Sequence, residues 1–366
     1  MSIASLLIHH HAGQNRVFSY LALFLVTLFF LLHPELVFSA SALPVELHES
    51  AISTIENVYK ENYEQAEIEA KKIIRRFPEH PAGYFFAAIV IDAWMAHYWS
   101  KSREDEFYKF CDLSISKGEE LLEQDRNNEW AKFFIAGADG YKGTYEARFE
   151  RWITAFRYGW QGVSKLIDME SSKSSIIDIN YGIGNYDYWR SAMIKTLWFM
   201  PKVDDRRQKG IERLYLVKEK GIYTREAASS ALVDILLNEK RYQEALTLSG
   251  EMLKKFPSSQ FFLFGKAEAL FGLDQNDKSV VYFEMLQKKC EQYTEGDNYM
   301  VIMCHYWLAK NFLKLKKYTR SIMECNRMTY YKISADTKKM LDKYFEEAES
   351  MKKMVYAEQG KAGGSH

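Results

Sequence analysis

"NYEQAEIEAKKIIRRFP" (Asn62–Pro78) and "RYQEALTLSGEMLKKFP" (Arg241–Pro257) are two versions of one pattern. Each opens on a polar residue and a tyrosine, and each carries alanine at the fifth place (Ala66, Ala245). Each ends in two basic residues, phenylalanine and proline. Between these marks apolar residues recur every three or four positions, which is helical spacing. The basic pair falls in the last turn, where cations complement the helix dipole. Proline then stops the helix.

Working outward, small residues repeat at helix–turn–helix intervals. Ala245 and Ser279 are 34 positions apart, and Ser321 follows after another 42. The extra eight residues are assigned to the loop "EQYTEGDNY" around Gly296. Ala267 and Leu270 in one unit, and Leu308, Ala309 and Phe312 in the next, occupy the matching first-helix positions. Pro78 and Pro257 close their units. A period of 34 residues built from paired helices is that of tetratricopeptide repeats. The chain resembles that family over about 60–98 and about 223–331, with Ala66, Ala245, Ser279 and Ser321 at the small second-helix position. It departs from the pattern in two ways. The last two units lack the closing proline, and the first hairpin lacks a well-defined first helix, so the number of repeats stays open.

The resemblance implies an all-α fold, a right-handed α-solenoid of antiparallel helical hairpins. It also implies a non-catalytic scaffold that binds a protein or peptide partner in its groove, as stacked repeats do. Composition agrees. Of 366 residues, 47% are hydrophobic and 15% aromatic, with only six prolines, which favours long helices over short strands and turns. Lys+Arg and Asp+Glu are both 49, and such a balance argues against a nucleic-acid partner.

The N-terminus is a separate object. Arg16 precedes the sixteen-residue run "VFSYLALFLVTLFFLL" (Val17–Leu32), and small residues stand at Ala40 and Ala42. A cation, an apolar stretch and an A-x-A site describe a cleavable secretory signal. The run is short for a membrane span of about 20 residues. Residues 1–42 are therefore expected to be a signal peptide, with an N-terminal membrane anchor as the alternative. The protein is then expected in the periplasm, or anchored in the inner membrane with its solenoid outside the cytoplasm. His9, His10 and His11 lie in this discarded part, which argues against a metal site there. The remaining expectations are an irregular helical region over 43–220, a regular array over 221–350, and a disordered glycine-rich tail over 351–366.

The middle is helical without a clear period. Phe149, Trp152, Ile153, Phe156, Trp160, Val163 and Ile167 form one stripe that neighbouring helices are expected to cover. The polar break "MESSKSS" follows, and then "YGIGNYDYW" (Tyr181–Trp189). Gly182 and Gly184 lack the third glycine of a dinucleotide fingerprint, and no G-K-[ST] is present, so no nucleotide or other cofactor is expected. The glycines read instead as a close helix crossing, with the surrounding rings supplying burial. The same segment, with "DRRQKGIERL" and "KGIYTREAA" downstream, resembles a bacterial tetratricopeptide subgroup. It is similar, too, to the inclusion-body-clearance group of fungal mitochondria. That likeness covers about 128–290 and implies fold, not chemistry.

No catalytic constellation stands out: there is no H-E-x-x-H, paired zinc cysteine motif or G-x-S-x-G. A competing reading is a small-ligand site, for a glycan or a peptide terminus, in the aromatic segment 145–200. Its candidate residues are Tyr186, Asp187 and Arg190, with Arg151 and its neighbours Arg148 and Arg157 beside the stripe. Rings supply contact area and charges fix orientation. The reading gains if Tyr186, Asp187 and Arg190 face one open pocket. Of the four cysteines, Cys304 and Cys325 fall at matching levels of one hairpin. They are the candidate disulfide, against the alternative that both are small buried hydrophobes.

Overall fold

The computed structural model describes residues 43–193 and 204–363, with side chains through 358. These residues form fifteen α-helices and a single 3-10 turn, with no strand among them. In chain order the first eight are α1 (Val45–Tyr59), α2 (Tyr63–Arg76), α3 (Pro81–Tyr98), α4 (Glu104–Gln124), α5 (Glu129–Arg148), α6 (Trp152–Ser171), α7 (Ile179–Met193) and α8 (Arg207–Lys220). Then come α9 (Arg225–Asn238), α10 (Tyr242–Lys255), α11 (Gln260–Gly272), α12 (Asn276–Cys290), α13 (Tyr299–Lys314), α14 (Tyr318–Arg327) and α15 (Ala335–Gly363). The expected signal segment and its three histidines lie outside the described residues. No described helix is long and apolar enough to cross a membrane.

The two quoted segments are α2 and α10. Ala66, Ala70 and Ile73 are buried along α2; Ala245, Leu248, Ser249 and Met252 are buried along α10. Phe77 and Phe256, each before a proline, leave the helix at φ −132° and −128°. A following proline disfavours helical backbone, so both helices end one residue earlier.

Every helix packs on the next. Each odd-numbered helix through α9 also touches the following odd-numbered helix, as α13 touches α15. Hairpins therefore stack through their first helices, which is a tetratricopeptide-like arrangement. The small residues sit at the contacts. Ser279 on α12 donates its hydroxyl to the carbonyl of Ala267 on α11 at 2.8 Å, and Ser321 on α14 repeats this on Ala309 of α13 at 2.9 Å. All four are buried. The chain reverses inside the hairpins at left-handed residues, among them Glu61, Glu150, Lys240, Asp274 and Lys316, with φ between +56° and +61°.

Ser41–His366 is one compact unit, across the expected change of character at 220. Helices near the N-terminus pack directly on the C-terminal array. Tyr59 lies against the rings of Phe256 and Phe262, at 5.4 and 6.2 Å. The Glu61 carboxylate accepts the backbone N–H of Gln260 at the start of α11 and also binds Lys289. The long loop before α13 docks on α3: Asp297 N donates to Tyr98 O at 3.0 Å, and Trp99 stacks on Tyr299 at 3.7 Å.

Four expectations are corrected. The first hairpin does have a regular first helix, α1, with Leu47, Ala51 and Ile55 buried at helical spacing. The expected disordered tail is helical through Gly363. Leu341, Ala348, Met351 and Val355 keep one apolar stripe buried, so the helix is held well past 350. Cys304 and Cys325 form no disulfide; all four cysteines are free and buried. The Cys304 thiol meets Cys290 of the preceding unit instead. Finally, neighbouring helices cover the stripe of α6 only in part. Val163 is buried and Phe149, Trp152, Phe156 and Ile167 are half-buried, but Ile153 is 76% exposed and Trp160 49% exposed, because α6 turns its small residues toward α5.

Candidate functional site

The site grows out of that α5–α6 contact. A methyl group on Gly143 would lie 2.9 Å from Gly159 N, and one on Gly162 would lie 2.6 Å from Ala136 O. Side chains at these positions would separate the helices. Beside this close contact Trp152 and Phe156 of α6, the latter 6.2 Å from the Tyr186 ring of α7, help to wall a chamber of about 670 Å³. Helices α3, α5, α6, α7 and the start of α9 enclose it.

The chamber is mostly apolar. Phe85, Tyr141, Tyr181, Trp189 and Tyr223 supply further rings, and Gly140, Gly159 and Gly182 leave room. Gly140 and Gly159 have nothing within 4 Å of where a Cβ would stand. Burial pushes the hydroxyls of Tyr181 and Tyr223 up to about 12, so both stay neutral at physiological pH.

Three charged residues line it: Arg148, Asp178 and Arg190. Asp178, just before α7, is fully engaged. Its carboxylate accepts Ile222 N, Tyr223 N, Thr224 N and the Thr224 hydroxyl at 2.7–3.2 Å. It thereby caps the N-terminus of α9 from the turn before α7, and a negative charge is favoured there. Arg148 pairs through Nη2 with Asp92 of α3 at 2.9 Å, and its Nη1 is buried without a partner. Burial raises the Asp92 carboxyl while Arg148 opposes the rise. Arg190 lies 5.7 Å from the Tyr186 ring centre, and its Nε is likewise buried without a partner. No described carboxylate forms an ion pair with Arg190, and residues 194–203 contain no Asp or Glu.

Of the residues singled out from the sequence, Tyr186 and Arg190 line the chamber, and so does Gly182. Gly182 also faces Leu166, 2.4 Å from where a Cβ would stand. Asp187 points elsewhere. It is 3% exposed and bound to Arg206 at 3.0 Å, with Arg213 Nε at 3.9 Å. Arg151 is also outside the chamber, paired with Glu146 at 2.5 Å and Glu104 at 3.1 Å. Neither therefore joins Tyr186 and Arg190 at the chamber; each is held in ion pairs with residues of adjacent helices. Gly184 serves the α7–α8 crossing, against Gly210. Sequence reading passed over Tyr141, Asp178 and the glycines of α5 and α6. The spacings Gly140–Gly143 and Gly159–Gly162 are the signal that could have found the last of these.

No protein-family model matches the chain, and no curated protein does. Solved structures to which it is similar include a tetratricopeptide repeat protein from Parabacteroides merdae, at 12% identity and TM-score 0.37, covering 86% of this chain and 100% of that one. Aspartyl phosphate phosphatase F from Bacillus subtilis is similar at 14% identity and TM-score 0.41, covering 88% of this chain and 84% of that one. The apo form of RapI is similar at 12% identity and TM-score 0.40, with 86% of each chain covered.

Proposed function

We propose that this chain is a non-catalytic binding scaffold and that it binds through the chamber between α3, α5, α6, α7 and α9. The single observation that carries this reading is the concave space itself. At about 670 Å³ it falls within the roughly 300–1,000 Å³ of small-molecule sites, which are likewise mostly apolar with a few placed polar groups. The chemistry of its wall supports binding over catalysis. Among the described residues no His, Cys, Lys, Ser or Glu lines it, and its one carboxylate, Asp178, is saturated by four donor groups. That leaves no obvious nucleophile or general base.

Binding is tested with a neutral apolar fluorophore, N-phenyl-1-naphthylamine. It should brighten with the native protein and lose this signal in Gly159→Phe, which fills the chamber from a position with free space around it. Unchanged dye binding in Gly159→Phe and in Gly140→Leu, with both variants folded by circular dichroism, would remove the chamber from the reading.

A protein partner is a second reading, favoured by Val281 and Met285. These residues stand one turn apart on α12, each 52% exposed. Val281→Lys/Met285→Lys should abolish any partner recovered with the wild-type chain.

We further propose that the protein acts outside the cytoplasm, on the strength of Arg16, the apolar run and Ala40–Ala42. Mass spectrometry of the mature chain should find an N-terminus at or near Leu43. Intact residues 1–30 in a soluble cytosolic pool would sink that proposal.

A further inference from the structure

We infer that the chamber takes an amphiphilic carboxylate, a small molecule with an apolar body and a single anionic head held by Arg190 with help from Arg148. The inference rests on the reading of the chamber as a binding site and names its occupant. Asp178 is consumed by the start of α9, and one face of Arg148 is consumed by Asp92. Arg190 remains without a described carboxylate. Two guanidinium nitrogens, Arg190 Nε and Arg148 Nη1, are buried without acceptors. Buried donors lacking a partner are costly, and a charged group more so, so a turn of either side chain that brings a ligand oxygen to these nitrogens is favoured.

The head group follows from geometry. A planar guanidinium matches a planar carboxylate in two parallel hydrogen bonds. Asp178 keeps its negative charge but spends its oxygens on the start of α9, so Arg190 is the wall's one cation without a described carboxylate partner, and it calls for a single anionic head. The wall otherwise offers rings and small residues, and its polar side chains Thr144, Thr224 and Asn185 are few. A sugar, with a hydroxyl on almost every carbon, would leave most of its polar groups facing these rings. The apolar body of an acyl or fused-ring acid would not. This replaces the glycan expectation with a different ligand class.

The test is displacement of N-phenyl-1-naphthylamine from the full chain by dodecanoate, dodecanol and dodecyltrimethylammonium, each below its micelle concentration. Trp152 and Trp189 on the chamber wall give an independent fluorescence readout. Dodecanoate should bind about tenfold tighter than dodecanol, and the cation should compete least. Arg190→Met should lower dodecanoate to the level of the alcohol. Equal binding of acid and alcohol, with the dye still blocked by Gly159→Phe, would overturn the carboxylate and leave the chamber intact as a site. Loss of dye specificity for the chamber would overturn both. A peptide ending in Leu-Phe that displaced the dye more strongly than dodecanoate would also overturn it, in favour of a peptide terminus.

Discussion

Gly184 and Gly210 meet backbone to backbone where α7 crosses α8. A Cβ on Gly184 would lie 2.9 Å from Gly210 O, and one on Gly210 would lie 2.6 Å from Gly184 O. Neither atom is the end of a flexible side chain, so neither can step aside. Glycine costs about 1 kcal/mol against alanine inside a helix, and the crossing is what the cost permits.

Alanine at either position should therefore destabilise the protein in spite of its better helix propensity. Overpacking typically costs about 1–3 kcal/mol. Gly250→Ala is the control: it lies in α10 with nothing within 4 Å of the new Cβ, and should gain up to about 1 kcal/mol. Urea unfolding of the three variants checks this. A Gly184→Ala protein as stable as Gly250→Ala would show that the helices separate freely.

Asp178→Ala should cost on the order of 2–3 kcal/mol, because bonds to a charged acceptor are lost and buried donors are left behind. Its partners Tyr223 and Thr224 also line the chamber, so dye binding should weaken with it. Asp178→Asn keeps one acceptor oxygen and should recover part of the stability. Chemical denaturation of both variants, beside the dye assay, measures the two effects separately.

His97 predicts a dependence on pH. Burial, with Lys289 adding to it, lowers its imidazole to about 3 from an ordinary 6.5. Its folded value is thus below its unfolded value. The unfolded chain binds the extra proton between these limits, so His97 contributes stability that is present above pH 6.5 and lost as pH falls toward 3. The slope for one proton reaches about 1.4 kcal/mol per pH unit. The stability gap between wild type and His97→Gln should narrow from pH 7 to pH 4.5. A gap constant over this range would mean that the ring is protonated in both states or in neither.

The cysteines should be silent in the native protein. All four are buried, and burial raises the thiols of Cys111, Cys304 and Cys325 above their ordinary range. Since the thiolate is the reactive form, alkylation at pH 8 should be slow until denaturant is added, when four thiols should react. Fewer than four in unfolded, unreduced protein would mean that a bond forms after all.

The repeats were legible because their signals are local. Ala66 and Ala245, the helix-ending Phe77–Pro78 and Phe256–Pro257, and the 34-residue step from Ala245 to Ser279 are set within one or two helices. Periodicity reports which face of a helix is buried, and proline reports where it stops. The hairpin turns were less legible. Glu61, Lys240, Asp274 and Lys316 take left-handed backbone without being glycine, so nothing in their identity marks them. The tail was misread for a related reason. Gly360, Gly363 and Gly364 suggest disorder, yet Met351 and Val355 are buried in the fold.

The amino-acid sequence by itself determined an all-helical chain, the stacking of hairpins through small residues, and a concentration of rings between 145 and 200. Only the tertiary structure decided which rings face a cavity, and which charges are paired by a neighbouring helix. Asp187 and Arg190 are three residues apart in one helix. Asp187 is neutralised by Arg206 and Arg213, whereas Arg190 faces the chamber without a described carboxylate. Their difference comes from which neighbouring helix each side chain meets. Ion pairing is short-ranged and fixed by helices far apart in the chain, and no pattern of three or four residues records it.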